Sequence, residues 1–375
     1  MESAERRKTI VRVGIVGVGN TNGIAGNHID GYMRVPEAKI TAVYDIIRER
    51  AAGYIEKFGL EGAKACESYE ELLDLVDAVS ICTPNASHIE LTVQALKAGK
   101  HVLCEKPFGV DAPECQKALN YAEMSGRVCM IGLCYRGIPG YMYLKKLIDD
   151  GSLGKIFYIR QSLGGNRIAN PQVKLEWRMQ KELSGPGAMA DFGSHMLDIG
   201  DMLIRDTAGP ITEVQCMSGI MVEERDRVHG NGRGSVDNDD VAMFSARTRD
   251  GVLLSYTASR IGSRHTVEVY GSGGNAVFDG ADHFSLQIQK KDPEGGYLGA
   301  PECVKVPEEM YLINENVPKT PFAINFYFEI KQFIDAIEKG TPVDTDFQRG
   351  IYIQKLIDAL QESSDCGCSV PIDFE

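Results

Sequence analysis

Two short segments of the chain carry residue types suited to proton and charge chemistry. The first is Glu105-Lys106-Pro107, directly after the apolar run HVLC. Ligands of open α/β sheets bind beyond the carboxyl ends of the strands, so a lysine there is placed for chemistry. Taken alone, it also reads as a surface lysine in an ion pair. The proline that follows admits a cis peptide bond. The second segment is GAMADFGSHMLD, from Gly187 to Asp198. On one helix, Asp191, His195 and Asp198 recur at i, i+4 and i+7 along a single stripe. Met189, Phe192, Met196 and Leu203 clothe the remainder in apolar surface. A carboxylate–imidazole stripe is costly there unless it is used or paired. A core histidine held by Asp191 or Asp198 accounts for the pattern equally well. A metal on Asp191 and His195 lacks a third ligand, and no metal is expected.

A third signal lies near the start. Gly17-Val18-Gly19 follows IVRVGIV and precedes a helix-like stretch. Glycines in such a turn let the backbone approach a pyrophosphate, whose charge the helix N-terminus stabilises, with Asn20 next in the turn. Asn22 stands where GxGxxG has its third glycine, and Gly23 and Gly26 follow. A lone GxG also describes a plain tight turn. Asp45 changes the balance. It ends the second strand-like run, 26 residues after Gly19, where a carboxylate accepts hydrogen bonds from an adenosine ribose. It would also repel a 2′-phosphate, so NAD is expected rather than NADP. Arg48 is the basic residue that weighs against this preference.

The elements that must position these residues show in the hydrophobic pattern. Residues 10–16, 39–44, 77–83, 101–104 and 128–131 are short apolar runs of strand type. Helical stretches fall between them, at about 47–58, within SHIELTVQALKAGK (87–100) with Gly99 as its stop, and at about 111–125. Strands alternating with helices give a doubly wound parallel sheet with right-handed crossovers. This first α/β domain is assigned to residues 1–132. Beyond about residue 150 the rhythm changes. VLLSYTAS, RHTVEVYG, NAVFDG and FSLQIQ follow one another across short turns and predict a mostly antiparallel sheet. Residues 133–375 are therefore a second, α+β domain. Phe326, Ile330, Phe333, Ile334 and Ile337 mark an amphipathic helix within it, and a last helix spans about 348–361. These C-terminal helices are free to pack back on the first domain. The stretch 223–240, EERDRVHGNGRGSVDNDD, reads as a solvated hairpin rather than a mobile loop at a site.

Composition excludes several classes. The chain has 375 residues, 43% hydrophobic and 25% charged, enough for two well-packed domains at about 150 residues each. The net charge of −13 disfavours nucleic acid and anionic membranes as partners. No apolar run approaches the length of a membrane span. The ten cysteines include no CxxC pair, and several lie in buried-strand runs, so neither a zinc site nor a disulfide framework is expected. A reducing cytoplasm fits this usage.

Taken with these motifs, AVSICTPNASH, AGKHVLCEKPFGVD, GPGAMADFGSHMLDIGD and FEIKQFIDAIEKGTPVDTDF resemble the Gfo/Idh/MocA oxidoreductase family. The resemblance runs from Val11 to about Pro371, and EKP with DxxxH at this separation is its specific part. It implies a Rossmann domain followed by a substrate domain. It also implies that Thr83, Pro84, Asn85 and His88 lie beside the nicotinamide, that Glu105 and Lys106 reach cofactor and substrate, and that Asp191 and His195 face them. Oxidation of a secondary alcohol needs a hydride acceptor and a base for the hydroxyl proton. His195 is the first candidate base, with Lys106 stabilising the developing alkoxide and Asp191 orienting the imidazole; Lys106 as base is the alternative. A retained-NAD enzyme that cleaves glycosides through oxidation, and a non-catalytic NAD-sensing regulator, are the competing functions.

Tyr135, Arg136, Asn166, Arg167, Trp177 and Arg178 are candidate substrate contacts, with Trp177 either a sugar platform or a core residue. Spread-out arginines and the acidic site residues point to a neutral sugar, glycoside or cyclic polyol. Leu254, Tyr256 and Ala258 alternate with Ser255, Thr257 and Ser259, so the second sheet has one face for this chain's helices and one for another copy. The family pairs such sheets, which implies a dimer or tetramer. For the cofactor, kcat/KM is expected to favour NAD over NADP, and Asp45→Ala to erode the ratio; a native preference for NADP would overturn the assignment.

Overall fold

Short runs of Val, Ile and Ala build strands buried on both faces, and the glycine and acidic punctuation between them turns the chain into helices. The structure is a computed structural model that describes residues 10–19, 23–228, 230–262, 264–292, 294, 296–297, 299–312 and 314–373. The chain divides into two units, one of residues 1–108, 116–134 and 314–349, the other of residues 109–115, 135–313 and 350–375.

The first unit contains a parallel sheet of β1 (Val11–Val16), β2 (Ala38–Tyr44), β3 (Lys64–Ala65), β4 (Ala78–Ile81), β5 (His101–Glu105) and β6 (Cys129–Gly132), in the order β3-β2-β1-β4-β5-β6. The order reverses between β1 and β4, so both strands end at the topological switch point where such sheets bind ligands. The helices Ala25–Met33, Arg48–Phe58, Tyr69–Leu75, His88–Lys97 and Ala112–Ser125 are the crossovers. Ser68 caps the third of them by accepting from the Glu71 amide at 3.1 Å.

The helix Pro321–Lys339 also belongs to this unit, with Phe326, Ile330, Phe333 and Ile334 buried. The division therefore differs from a single cut at residue 132. An amphipathic pattern shows that a helix face is buried, but not which surface covers it.

The second unit is built on a nine-stranded sheet. Its strands are β7 (Ile156–Gly164), β8 (Ile211–Gly219), β11 (Val241–Thr248), β12 (Leu253–Ser259), β13 (His265–Gly271), β14 (Gly274–Asp279), β15 (Ser285–Lys290), β16 (Glu302–Lys305) and β17 (Val370–Pro371). A separate hairpin pairs β9 (Glu224–Asp226) with β10 (Arg233–Ser235). The order in the large sheet is β16-β15-β14-β13-β7-β12-β11-β8-β17, and its pairs are antiparallel except β7 with β12. Leu254, Tyr256 and Ala258 of β12 are buried, toward the helix Gly193–Ala208. Gln161 on β7 donates to the Met196 carbonyl of that helix at 3.2 Å.

Two details depart from expectation. The hairpin in 223–240 is present, yet it is not solvated throughout. Arg225 is 1% exposed and donates to the carbonyls of Ile168, Asn170 and Val173 at 2.5, 2.9 and 3.1 Å. A guanidinium with several fixed donors can gather carbonyls that no strand partners, and here it pins the segment before Trp177. Cys366 and Cys368 are joined by a disulfide, where free thiols were expected. The pair sits at the end of the helix Phe347–Cys366, where the chain turns back through Gly367 at φ +67.

Candidate active site

In the first unit the site residues gather at the carboxyl ends of β1, β2, β4 and β5. The Gly17 amide continues the ladder by donating to the Tyr44 carbonyl at 2.8 Å. Gly17 and Gly19 then take φ of +81 and +61, a left-handed conformation that glycine adopts without strain. The surroundings of the two differ. A Cβ on Gly17 would lie 2.3 Å from Thr83 Cγ2, whereas one on Gly19 would meet nothing within 4 Å. Asn20 and Asn22 fall outside the described residues.

Asp45 is buried, and its carboxylate accepts from the Gly19 amide and the Ile47 amide, each at 2.9 Å. It thus ties the end of β2 to the glycine turn. Arg48, the expected reservation, pairs instead with Glu67 at 2.7 Å. Arg50, which the sequence reading overlooked, lies 3.6 Å from Asp45. It is the third residue of the helix Arg48–Phe58, five residues after Asp45, and no motif marks it.

Beyond β4, Pro84 precedes the turn Asn85–Ser87, and Ser87 donates to Thr83 Oγ1 at 2.7 Å. His88 was expected beside the nicotinamide, but it is 0% exposed. Its ring nitrogens lie 2.9 Å from the carbonyls of Thr83 and Pro107. Burial lowers its pKa while those carbonyls oppose the shift. His88 therefore joins two loops of the site from beneath. The Lys106–Pro107 peptide is cis.

Glu105 is likewise turned away from the surface. Its carboxylate accepts from the Lys106 amide at 3.1 Å and lies 2.8 Å from His28 Nε2. The contact expected between Glu105 and the cofactor becomes a buried one that holds the backbone of Lys106. Neither His28 nor its companion Glu329 was selected from sequence. Both sit on otherwise apolar helix faces, where each reads as an ordinary irregularity of the pattern.

In the second unit the stripe Asp191–His195–Asp198 is not on one helix. The chain forms Ala188–Asp191 and then Gly193–Ala208, with Phe192 between them. Asp239, from the end of the hairpin segment, accepts from the Gly187 and Met189 amides at 2.5 and 2.9 Å and so caps the first helix. His195 occupies the first turn of the second helix and is buried, its ring stacked on Tyr135 at 4.0 Å and 12°. Tyr135 also stacks on His265 at 5.8 Å, and burial lowers His265 to about 4.

Asp198 is occupied by Arg136, which donates to its two oxygens at 2.8 and 2.7 Å. Asp191 Oδ2 lies 3.8 Å from Arg260 Nε. Arg260 also donates to the Arg178 carbonyl at 2.7 Å. Arg167 is held by both oxygens of Glu176 at 2.6 and 2.9 Å, and Asn166 beside it is exposed. The Arg178 guanidinium stacks over Trp177 at 4.4 Å. That contact covers one face of the only tryptophan in the chain.

The residues of the first unit fit a dinucleotide. Among the described residues nothing lies within 4 Å of a Cβ at Gly19, and a buried carboxylate stands at the end of β2.

Comparison with known proteins agrees. The family model described as "Oxidoreductase family, NAD-binding Rossmann fold" matches residues 11–133, and the "GFO/IDH/MocA C-terminal domain" model matches residues 141–277. The chain belongs to this oxidoreductase family and carries its NAD-binding Rossmann fold. Levoglucosan dehydrogenase of Pseudarthrobacter phenanthrenivorans is 28% identical over 84% of this chain and 85% of that protein. Inositol 2-dehydrogenase of Rhizobium meliloti is 25% identical over 94% and 96%. The solved structure of a levoglucosan dehydrogenase with NADH and L-sorbose superposes with a TM-score of 0.87 at 25% identity, over 97% of this chain and 99% of that one.

Gly17→Ala should cut NADH affinity about tenfold or more, because the new methyl both strains a left-handed φ and collides with Thr83. Fluorescence titration with NADH checks this, and near-native affinity would contradict it.

Proposed function

We propose that this chain is an NAD-dependent dehydrogenase that oxidises a secondary hydroxyl of a sugar, glycoside or cyclic polyol to a ketone. The observation that carries the reading is Lys106 at the carboxyl end of β5 and His195 on Tyr135, in a chain whose domains match an NAD-binding oxidoreductase family. The names of the levoglucosan and inositol dehydrogenases it resembles support the substrate class.

When bound, NAD supplies the hydride acceptor. Gly17, Gly19 and Asp45 would hold its pyrophosphate and adenosine half, with Thr83, Pro84 and Asn85 on the nicotinamide side. His195 takes the hydroxyl proton, which needs a group that changes charge near neutral pH. Lys106 donates to the same oxygen as alkoxide charge develops. Asp191 keeps the site's charge balanced against Arg260.

A neutral substrate follows from the arginines. Arg136 and Arg167 are each engaged by both oxygens of a carboxylate, so neither has its fork open for a phosphate. The net charge of −13 supports excluding nucleic acid as a partner. Among the described residues no helix is long and apolar enough to cross a membrane. The many free thiols suit a reducing cytoplasm.

The reading includes an oligomer. On the sheet face away from the helices, Met217, Met243, Leu253 and Tyr158 are 71, 54, 47 and 42% exposed. A second copy laid on this face would remove that apolar surface from water.

A substrate panel should give NADH with sugars, inositols or glycosides; turnover confined to sugar phosphates or hydroxy acids would refute the substrate class. Lys106→Ala and His195→Ala should each lose about two or more orders of magnitude in kcat while still binding NADH. Near-native activity in His195→Ala would make it a packing residue. Light scattering at micromolar concentration should give a multiple of 41.1 kDa, and a monomer mass would contradict the oligomer.

A further inference from the structure

Beneath the carboxyl end of β5 lies a buried polar cluster that the proposed reaction does not use. His28 on the helix Ala25–Met33, Glu105 at the end of β5 and Glu329 on the helix Pro321–Lys339 bring one ligand-type atom each within 4.8 Å of one another. All three are buried, and Glu329 is 5% exposed.

The hydrogen bonds within the cluster are unequal. His28 Nε2 is 2.8 Å from Glu105 Oε1 but 4.0 Å from Glu329 Oε1. His28 Nδ1 lies 3.3 Å from Ser80 Oγ, which is 2.8 Å from the Tyr32 hydroxyl. The other oxygen of Glu105 accepts the Lys106 amide. Gly132 on β6 makes room for this carboxylate, since a Cβ there would lie 2.9 Å from Glu105 Oε1. Among the described residues, neither oxygen of Glu329 has a hydrogen-bond partner.

An ionised carboxylate cannot be sustained in such a place. It would be dry, without donors, and close to the charge of Glu105. Two carboxylates this close in a buried site share one proton between them. The other groups facing Glu329 offer no cation close by. They are Tyr32 on the first helix, Cys82 after β4 and Cys134 after β6. Burial keeps the two thiols and the phenol neutral by raising each well above its ordinary value. Lys106 faces Cys134 from the end of β5. Burial first, and the neighbouring Glu105 second, push Glu329 well above the usual carboxyl range.

We propose that Glu329 is a positioning residue that carries a proton, so that His28 binds Glu105 alone and Glu105 in turn fixes the backbone of Lys106. Were Glu329 ionised, the imidazole would be drawn between two carboxylates and the hold on Glu105 would weaken. A misplaced Lys106 then meets the developing alkoxide badly. This inference rests on the reading in which Lys106 acts in the reaction.

The test uses the full-length protein with NAD. Glu329→Leu keeps the volume and removes the acid, and Glu329→Gln keeps a neutral donor. Glu329→Gln and Glu329→Leu are both uncharged and leave His28 to Glu105 alone, so each should keep kcat within about threefold of native with little change in KM for NAD. The native pH profile of kcat should be retained in Glu329→Gln. An infrared difference spectrum of native against Glu329→Gln should show the carbonyl band of one protonated carboxylic acid at neutral pH. That band is read without turnover, so it tests the proton on Glu329 even if Lys106→Ala proves active and the catalytic reading falls.

Absence of the band, or a loss of kcat of about tenfold or more in folded Glu329→Gln, would each overturn the proposal. So would a stoichiometric divalent metal in the purified protein by elemental analysis, since the cluster would then be a metal site. If Glu329→Leu does not fold, the band and the Glu329→Gln profile still decide.

Discussion

The carboxylate of Glu105 is the interaction around which the first unit's site is arranged. It accepts the amide of Lys106 on one side and meets His28 on the other, and it does so where β5 ends and the cis Lys106–Pro107 bond begins. His88 closes the same corner from below by linking the carbonyls of Thr83 and Pro107. Lysine carries a compact point charge on a flexible four-carbon stem, so its usefulness depends on where the backbone puts its root. Here that root is held by buried hydrogen bonds, which weaken little with salt because water is excluded from them.

The cofactor end of the unit follows the same logic. Asp45 accepts two amides, from Gly19 and Ile47, before any ligand is considered. A carboxylate that accepts two backbone amides is fixed by its own turn, so its orientation is set within the unit. In the second unit, Asp239 caps the helix before His195 and Arg225 gathers three carbonyls of the preceding segment. These residues support the site without belonging to it. The stretch that supplies them, 223–240, is thereby a structural part of the second unit rather than a solvated excursion.

Charge pairing accounts for two arginines of the second unit. Arg136 is bound to Asp198 and Arg167 to Glu176, each through two hydrogen bonds. Such forked pairs fix the guanidinium plane and use up the donors that would otherwise grip a second anion.

Much of this was legible in the residues alone. Periodicity placed the alternating strands and helices of the first unit and the one-sided β12, because burial on a strand or helix repeats with the backbone's own geometry. The Gly17-Val18-Gly19 turn, the acidic end of β2 and the EKP segment were visible because each is local, with its partners within a few residues of chain or one crossover away. Side-chain pairings were not visible. Asp191, His195 and Asp198 satisfied a helical spacing, but Phe192 divides them between two helices, and Asp198 was taken by Arg136 from 62 residues away. Glu105 met a histidine 77 residues earlier. The helix Pro321–Lys339 joined the first unit from the far end of the chain. Sequence determined which faces are buried and which residues have useful chemistry. Only the tertiary structure decided which buried groups meet, because hydrogen bonds and ion pairs depend on angstrom distances that packing sets and no spacing along the chain encodes.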